Sequence, residues 1–442
     1  MSKYIIDGGN PLTGEVFIRG AKNASYKQII ASMLTSDPVE LINVPQISDV
    51  KITKSIATHL GAKIEELGEH SLSIQTKNII DTVIPSGTGE KSRTSFIFSG
   101  PLLARCGQIT FPSPGGDKIG ERPLDRLFAC LKQMNVEISS DENSYTLKTS
   151  GLIGTDYTFP KPSHTSTEVI LMTAVTAKGE TIIRNAACEP EIDDLIELLN
   201  KMGGKIKRDE NNPALIYING VKNLHSASHQ IISDRNEAVT FACGALSTRG
   251  SVSILRINPK TIYTFLKTIE KMGAKTNWGK DEVFVSWEKP LTAISIETEP
   301  EPGFMTDWQA VFSLVLTQSV GVSSIIERVF PSRFQHIKFL NEMGAKTKFF
   351  QPKVSDPATY YHFNPESDKP EYFHGVKIYG PSKLHATNLT VADLRAGATS
   401  TLAALTAEGQ STIDGVEYIE RGYEKLAERL SSLGAKIKYI KI

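Results

Sequence analysis

The sequence predicts an inside-out α/β barrel protein built from six pseudo-repeats, with helices at the centre and sheets at the periphery. Three observations predict it. A short signature that ends one helix and begins a strand recurs six times. Several repeats carry a second helix that is apolar or small nearly all round, as buried helices are. The 442 residues allow two or three domains at about 150 residues each.

The signature begins as Leu60-Gly61-Ala62-Lys63-Ile64. It returns as Met134-Asn135-Val136-Glu137-Ile138, Met202-Gly203-Gly204-Lys205-Ile206, Met272-Gly273-Ala274-Lys275-Thr276, Met343-Gly344-Ala345-Lys346-Thr347 and Leu433-Gly434-Ala435-Lys436-Ile437. Successive copies lie 74, 68, 70, 71 and 90 residues apart. Each follows an amphipathic stretch such as 195–202, and the glycine is placed to end it in a left-handed cap. Alternation then starts, as in 436–440, which reads as a strand. A period near 70 exceeds one helical hairpin and suits a compact unit of two helices and several strands. Six such units are not an eightfold barrel of short βα units.

The second helices are predicted over 167–176, 237–246, 308–318 and 396–407. Turn-and-strand segments follow at 178–183, 249–254 and 408–413. The long last interval contains 350–372, read as a surface insertion or, through Tyr360, Tyr361, Phe363 and Phe373, as a partner or oligomer contact.

Composition bounds the function. Lys+Arg and Asp+Glu both number 49, so no basic excess favours nucleic acid or a membrane surface. Cys106, Cys130, Cys188 and Cys243 form no Cys-x-x-Cys pair and read as buried free thiols. No apolar run reaches spanning length, and the first residues lack a signal-like stretch, so a cytoplasmic protein is expected. No phosphate loop, nucleophile elbow or His-Glu-x-x-His is present, and the nine histidines lack metal-ligand spacing. Neither a cofactor nor a bound metal is expected.

The candidate chemistry lies in a glycine-rich loop and a set of oddly placed cations. Pro114-Gly115-Gly116-Asp117-Lys118-Ile119-Gly120-Glu121-Arg122-Pro123 reads as a polar turn or as a mobile lid carrying one carboxyl group. Lys22, in Gly20-Ala21-Lys22-Asn23-Ala24, follows the strand 15–18 at a helix start, where an anion is favoured; a solvated surface lysine is the plain alternative. Arg93, Arg333, Arg395 and Arg421 also sit at or near helix starts, where a cation is unfavourable without a bound anion or a carboxylate. Asp307 reads as a helix cap or as a general base. Converging guanidinium groups would grip a multiply charged anion.

These residues resemble the UDP-N-acetylglucosamine 1-carboxyvinyltransferase family over nearly the full length. The resemblance rests on Arg19-Gly20-Ala21-Lys22-Asn23-Ala24, the 114–123 loop, Glu189-Pro190-Glu191-Ile192, Ser233-Asp234-Arg235, Thr306-Asp307, Ser332-Arg333-Phe334, Thr390 to Arg395, and Arg421-Gly422-Tyr423-Glu424. It implies the enolpyruvyl transferase fold, two inside-out domains of three repeats each. The expected domains are 1–21 with 232–442, and 22–231 carrying the loop 112–123, closing on the substrates with the loop between them. It implies enolpyruvyl transfer from phosphoenolpyruvate to the 3-hydroxyl of UDP-N-acetylglucosamine, for peptidoglycan synthesis, by a monomer or weak oligomer.

The resemblance also implies roles. Asp117, Asp307, Lys22 and Arg395 are expected to be catalytic. Lys22, Asn23, Arg93, Arg122, Arg395 and Arg421 would bind phosphoenolpyruvate. Asn23, Arg93, Arg122, Pro123, Leu124, Asp125, Lys161, Ser163, Asp307, Val329 and Arg333 would surround the sugar nucleotide. Asp117 stands where the family usually has cysteine, which implies insensitivity to the thiol-directed epoxide fosfomycin. Lys118 and Arg126 are further departures. The alternatives are the shikimate-pathway enolpyruvyl transferase, which opens with a Gly-Asp-Lys-Ser motif absent here, a paralogue with another nucleotide acceptor, and a silent sugar-nucleotide binding protein.

Overall fold

The computed structural model describes residues 2–90, 93–114, 119–120 and 123–441. Each of the six signatures joins a helix to a strand. The helices are Ser48–His59, Asp125–Gln133, Pro190–Lys201, Tyr263–Met272, Gln335–Glu342 and Leu426–Ser432. The strands that follow are Lys63–Gly68, Glu137–Ser140, Lys205–Arg208, Lys275–Trp278, Lys346–Phe350 and Lys436–Lys441. Gly61, Asn135, Gly203, Gly273, Gly344 and Gly434 all have φ between 68° and 110°. Left-handed backbone ends each helix without a Cβ penalty, and asparagine is the non-glycine residue that best tolerates it.

Chain packing separates two units, one of residues up to Arg19, Ile119 and Gly120, and Ser233 onward, the other of the remaining described residues from Gly20 to Ile232. Among the described residues each holds three sheets. Five sheets have four strands in a common pattern: one parallel pair, then two antiparallel neighbours. Thus Thr13–Phe17 runs parallel to Ser251–Leu255, which pairs antiparallel with Glu282–Ser286 and through it with Lys275–Trp278. The sixth has three strands, and its parallel neighbour is reduced to a single bridge, Val83 to Thr110. The N-terminal strand Ser2–Asp7 pairs with Gln410–Asp414 and Lys436–Lys441, so it completes the last sheet of its own unit.

The core of each unit is helical. In one, Arg235–Ser247, Gln309–Gln318 and Leu394–Thr406 pack on one another, and nearly every residue of the three is buried. Small side chains, including Ala396, Ala398, Ala403 and Ala404, allow that approach. In the other, Lys22–Ala31, Ser99–Cys106 and His164–Ala174 occupy the interior. His164–Ala174 buries even Glu168, which pairs with the equally buried Lys27 at 2.6 Å. Sheets with one outward face lie around these helices, the reverse of a sheet-centred α/β fold.

One expectation needs correction. Cys130 and Cys243 are buried, and burial holds both thiols above their ordinary range, Cys130 at about 12. Cys106, however, is exposed, because it ends the helix Ser99–Cys106 at the surface, and Cys188 is half-buried. Within the insertion, Tyr361 and Phe363 are buried against each other and His374, with ring centroids 4.8–5.2 Å apart. They form a small core of their own and leave Phe373 as the exposed aromatic of the set. No helix among the described residues is long and apolar enough to cross a membrane.

Candidate active site

In the unit that includes the C-terminal half, two turns meet. Asp307 lies in the turn before the helix Gln309–Gln318. It does not cap that helix: the cap position is Trp308, with no side-chain bond. Its carboxylate instead takes an ion pair from Arg333 and a hydrogen bond from Arg395 Nε at 3.2 Å. Arg395 is the second residue of Leu394–Thr406, whose N-cap Asp393 accepts from the Ala396 amide at 2.7 Å. Arg395 is buried and also donates from Nη1 to the Tyr423 hydroxyl at 2.9 Å. Burial works against its charge, but Tyr423 and then Asp307 outweigh it and raise its pKa. Two of the cations at helix starts, Arg333 and Arg395, thus have their carboxylate and converge on one residue.

Arg333 stacks over Phe330, 4.9 Å from guanidinium to ring centroid. Its carbonyl accepts from the buried Gln309 amide at 2.7 Å. Val329 follows the strand Gly321–Ile326, and its N–H donates to Glu327. Arg421 lies in the turn between Val416–Ile419 and Leu426–Ser432, two residues from Tyr423. Asp234, an electrostatic neighbour of Arg395, caps Arg235–Ser247, accepting from the amides of Asn236 and Glu237.

The other unit holds the remaining candidates. Lys22 opens the helix Lys22–Ala31 and pairs with Asp49 at 2.9 Å. Asp49 is almost fully buried, while Lys22 keeps a partly exposed ammonium. This is an anchored cation at a helix N-terminus, unlike a freely solvated lysine. Asn23 is half-buried beside it. Arg93 precedes the 3-10 turn Ser95–Phe98 and lies over the Phe96 ring at 5.2 Å. Pro123, Leu124 and Asp125 lead into Asp125–Gln133, with Asp125 in its first turn. Arg126 donates to the Pro162 carbonyl at 3.4 Å, which ties this start to the Lys161–Ser163 segment. Ser163 is the N-cap residue of His164–Ala174, and its hydroxyl donates to Ser166 at 2.8 Å. That bond brings the 123–125 segment beside the 161–163 segment. Asp117, Lys118 and Arg122 lie outside the described residues.

Sequence reasoning missed three buried partners. Asp49 anchors Lys22, Glu327 braces the turn at Asp307, and Glu168 pairs with Lys27. Only an acidic residue at an otherwise apolar helical position could have signalled Glu168.

In the unit that includes the C-terminal half, the Arg333 and Arg395 guanidinium groups surround the Asp307 carboxylate; in the other unit, Lys22 is a cation anchored at a helix N-terminus. The family described as EPSP synthase (3-phosphoshikimate 1-carboxyvinyltransferase) matches residues 6–430. The chain belongs to the enolpyruvyl transferase family, enzymes that take the enolpyruvyl group from phosphoenolpyruvate. Its relatives include the UDP-N-acetylglucosamine 1-carboxyvinyltransferases of Koribacter versatilis, 36% identical over 100% of this chain and 97% of the relative, and of Finegoldia magna, 37% identical over 98% and 97%. The fold matches the enolpyruvyl transferase NikO from Streptomyces tendae, with TM-score 0.84, 22% identity and coverage of 100% and 99%. It also matches EPSP synthase from Acinetobacter baumannii, with TM-score 0.75, 18% identity and full coverage of both chains.

Proposed function

We propose that this enolpyruvyl transferase uses UDP-N-acetylglucosamine as its acceptor and yields the 3-enolpyruvyl ether and phosphate, the committing step of peptidoglycan synthesis. Asp307, set between Arg333 and Arg395, carries the reading. An ionised carboxylate only accepts hydrogen bonds, so its place is beside a hydroxyl that must lose a proton. Relatives of that name at 36–37% identity over nearly the whole chain support the same acceptor.

In this reading Asp307 takes the proton of the sugar 3-hydroxyl as its oxygen attacks C2 of phosphoenolpyruvate. Asp117 supplies a proton to C3, which a carboxyl can do where its surroundings raise its pKa. Loss of a C3 proton and of phosphate then gives the enol ether. Lys22, Arg122 and Arg395, with Arg93 and Arg421, hold the phosphate and carboxylate of the donor. Asn23, Arg93, Pro123, Leu124, Asp125, Lys161, Ser163, Val329 and Arg333 address the sugar nucleotide. Guanidinium groups fixed before the reaction stabilise the charge of the tetrahedral intermediate without reorganising.

The test is Asp307→Asn, assayed for phosphate release with UDP-N-acetylglucosamine. Loss of a general base costs about 10²- to 10⁴-fold. A folded variant turning over near the wild-type rate contradicts the role of Asp307.

A further inference from the structure

The turn at Asp307 and the segment 327–333 are joined at three points inside one unit. Asp307 pairs with Arg333, Gln309 donates to the Arg333 carbonyl, and the Thr306 hydroxyl donates to Glu327 Oε2 at 2.8 Å. Glu327 is the centre of this joint. It is 1% exposed. Its other oxygen, Oε1, accepts from the amides of Val329 and Phe330 at 2.8 and 3.0 Å.

A buried carboxylate is costly unless it is fully hydrogen-bonded. Burial pushes the Glu327 pKa up, while Arg333, Thr306 and the two amides act against that shift. A fold that needed only a filled space would be served by an apolar residue here. A carboxylate with three donors instead fixes two backbone turns relative to each other.

We propose that Glu327, through Thr306, is the positioning residue of the acceptor side: it fixes Asp307 and the Val329–Phe330 turn in one arrangement. This rests on the reading that Asp307 and Val329 face the acceptor. Glu327 itself touches no reacting atom and acts through its two neighbours. Thr306 is the better handle, because valine keeps its shape and removes only the hydroxyl.

The experiment compares wild type with Thr306→Val, Thr306→Ser and Glu327→Gln, using phosphoenolpyruvate and UDP-N-acetylglucosamine. Thr306→Val is expected to lower kcat about ten-fold, as loss of one hydrogen bond to a charged group does. It should raise the acceptor KM several-fold and leave the KM for phosphoenolpyruvate unchanged. Thr306→Ser should restore both values. The double variant Thr306→Val with Glu327→Gln should be no worse than the poorer single variant, because both break one joint. A readout independent of turnover is the emission of Trp308, buried next to Asp307, in a background with Trp278 and Trp287 changed to Phe. Thr306→Val should shift it and Thr306→Ser should not. Equal losses in the Val and Ser variants, additive losses in the double variant, or unmoved Trp308 emission would overturn the inference. Wild-type silence with UDP-N-acetylglucosamine would overturn the acceptor reading instead, and the Trp308 result would still decide the positioning role.

Discussion

The Nε of Arg395 donates to Oδ1 of Asp307 at 3.2 Å, although the two residues lie 88 apart in sequence. The bond sets a buried cation against a carboxylate, with Asp234 as a second acidic neighbour. Lysine at 395 would keep the charge but could not serve Asp307 and Tyr423 with a planar fork. Arg395→Lys should therefore lower kcat/KM for phosphoenolpyruvate about 10- to 100-fold, the equivalent of one charge-assisted hydrogen bond at about 1.5–3 kcal/mol. Steady-state phosphate release measures it.

Lys27 and Glu168 form an ion pair with both side chains almost wholly buried. Lys27→Met leaves buried Glu168 with only His164, 3.2 Å away, and breaking a buried pair from one side costs about 3–5 kcal/mol. Lys27→Met should lower the urea midpoint accordingly, and Lys27→Met with Glu168→Leu should recover most of the loss. Equal midpoints for the single and double variants would count against the pairing.

His336 gives a pH dependence with a definite sign. It is buried, its Nε2 lies 2.9 Å from the Ser313 hydroxyl, and burial, then Arg333, depress its pKa from 6.5 to about 3. The unfolded chain takes up this proton near pH 6.5 while the folded chain resists it, so acid favours unfolding. The His336 contribution is complete above about pH 6.5 and is lost as pH falls toward 3. His336→Gln should flatten the acid limb of a melting-temperature profile over that window.

Much of the fold was legible because its signals are local. The helix ends at Gly61, Gly203, Gly273, Gly344 and Gly434 are set by one residue each, and Asn135 serves in the sixth copy for the same backbone reason. The stretch at 396–407 predicted a central helix because it is apolar or small nearly all round. The partners of the charged residues were not legible. Asp307 meets Arg333 and Arg395 across 26 and 88 residues, and Lys22 meets Asp49 through the packing of two helices. Those pairings belong to the tertiary structure, and no spacing rule reports them.

Arg328 fastens the insertion to its unit. Its guanidinium lies 4.0 Å from the Tyr360 ring centroid, donates to the Tyr360 carbonyl at 2.8 and 3.1 Å, and pairs with Glu297 and Glu299. The His362 amide donates to the Arg328 carbonyl at 2.7 Å. Arg328→Ala should release the guanidinium anchors while keeping the backbone bond to His362, and speed limited chymotryptic cleavage within 350–372 several-fold. Unchanged cleavage would show that the Tyr361–Phe363 core holds the insertion alone.

Asp117 carries no thiol, so fosfomycin should leave no adduct on the peptide containing residues 114–123. Intact-protein and peptide mass spectrometry after incubation checks this. Asp117→Cys should gain both the adduct and the inactivation.

The most direct measurement of the central claim is phosphate release from phosphoenolpyruvate by the purified protein, with UDP-N-acetylglucosamine and shikimate 3-phosphate offered separately. The account predicts release with the sugar nucleotide alone. Release with shikimate 3-phosphate alone would contradict it and assign the chain to the sister activity of the same fold.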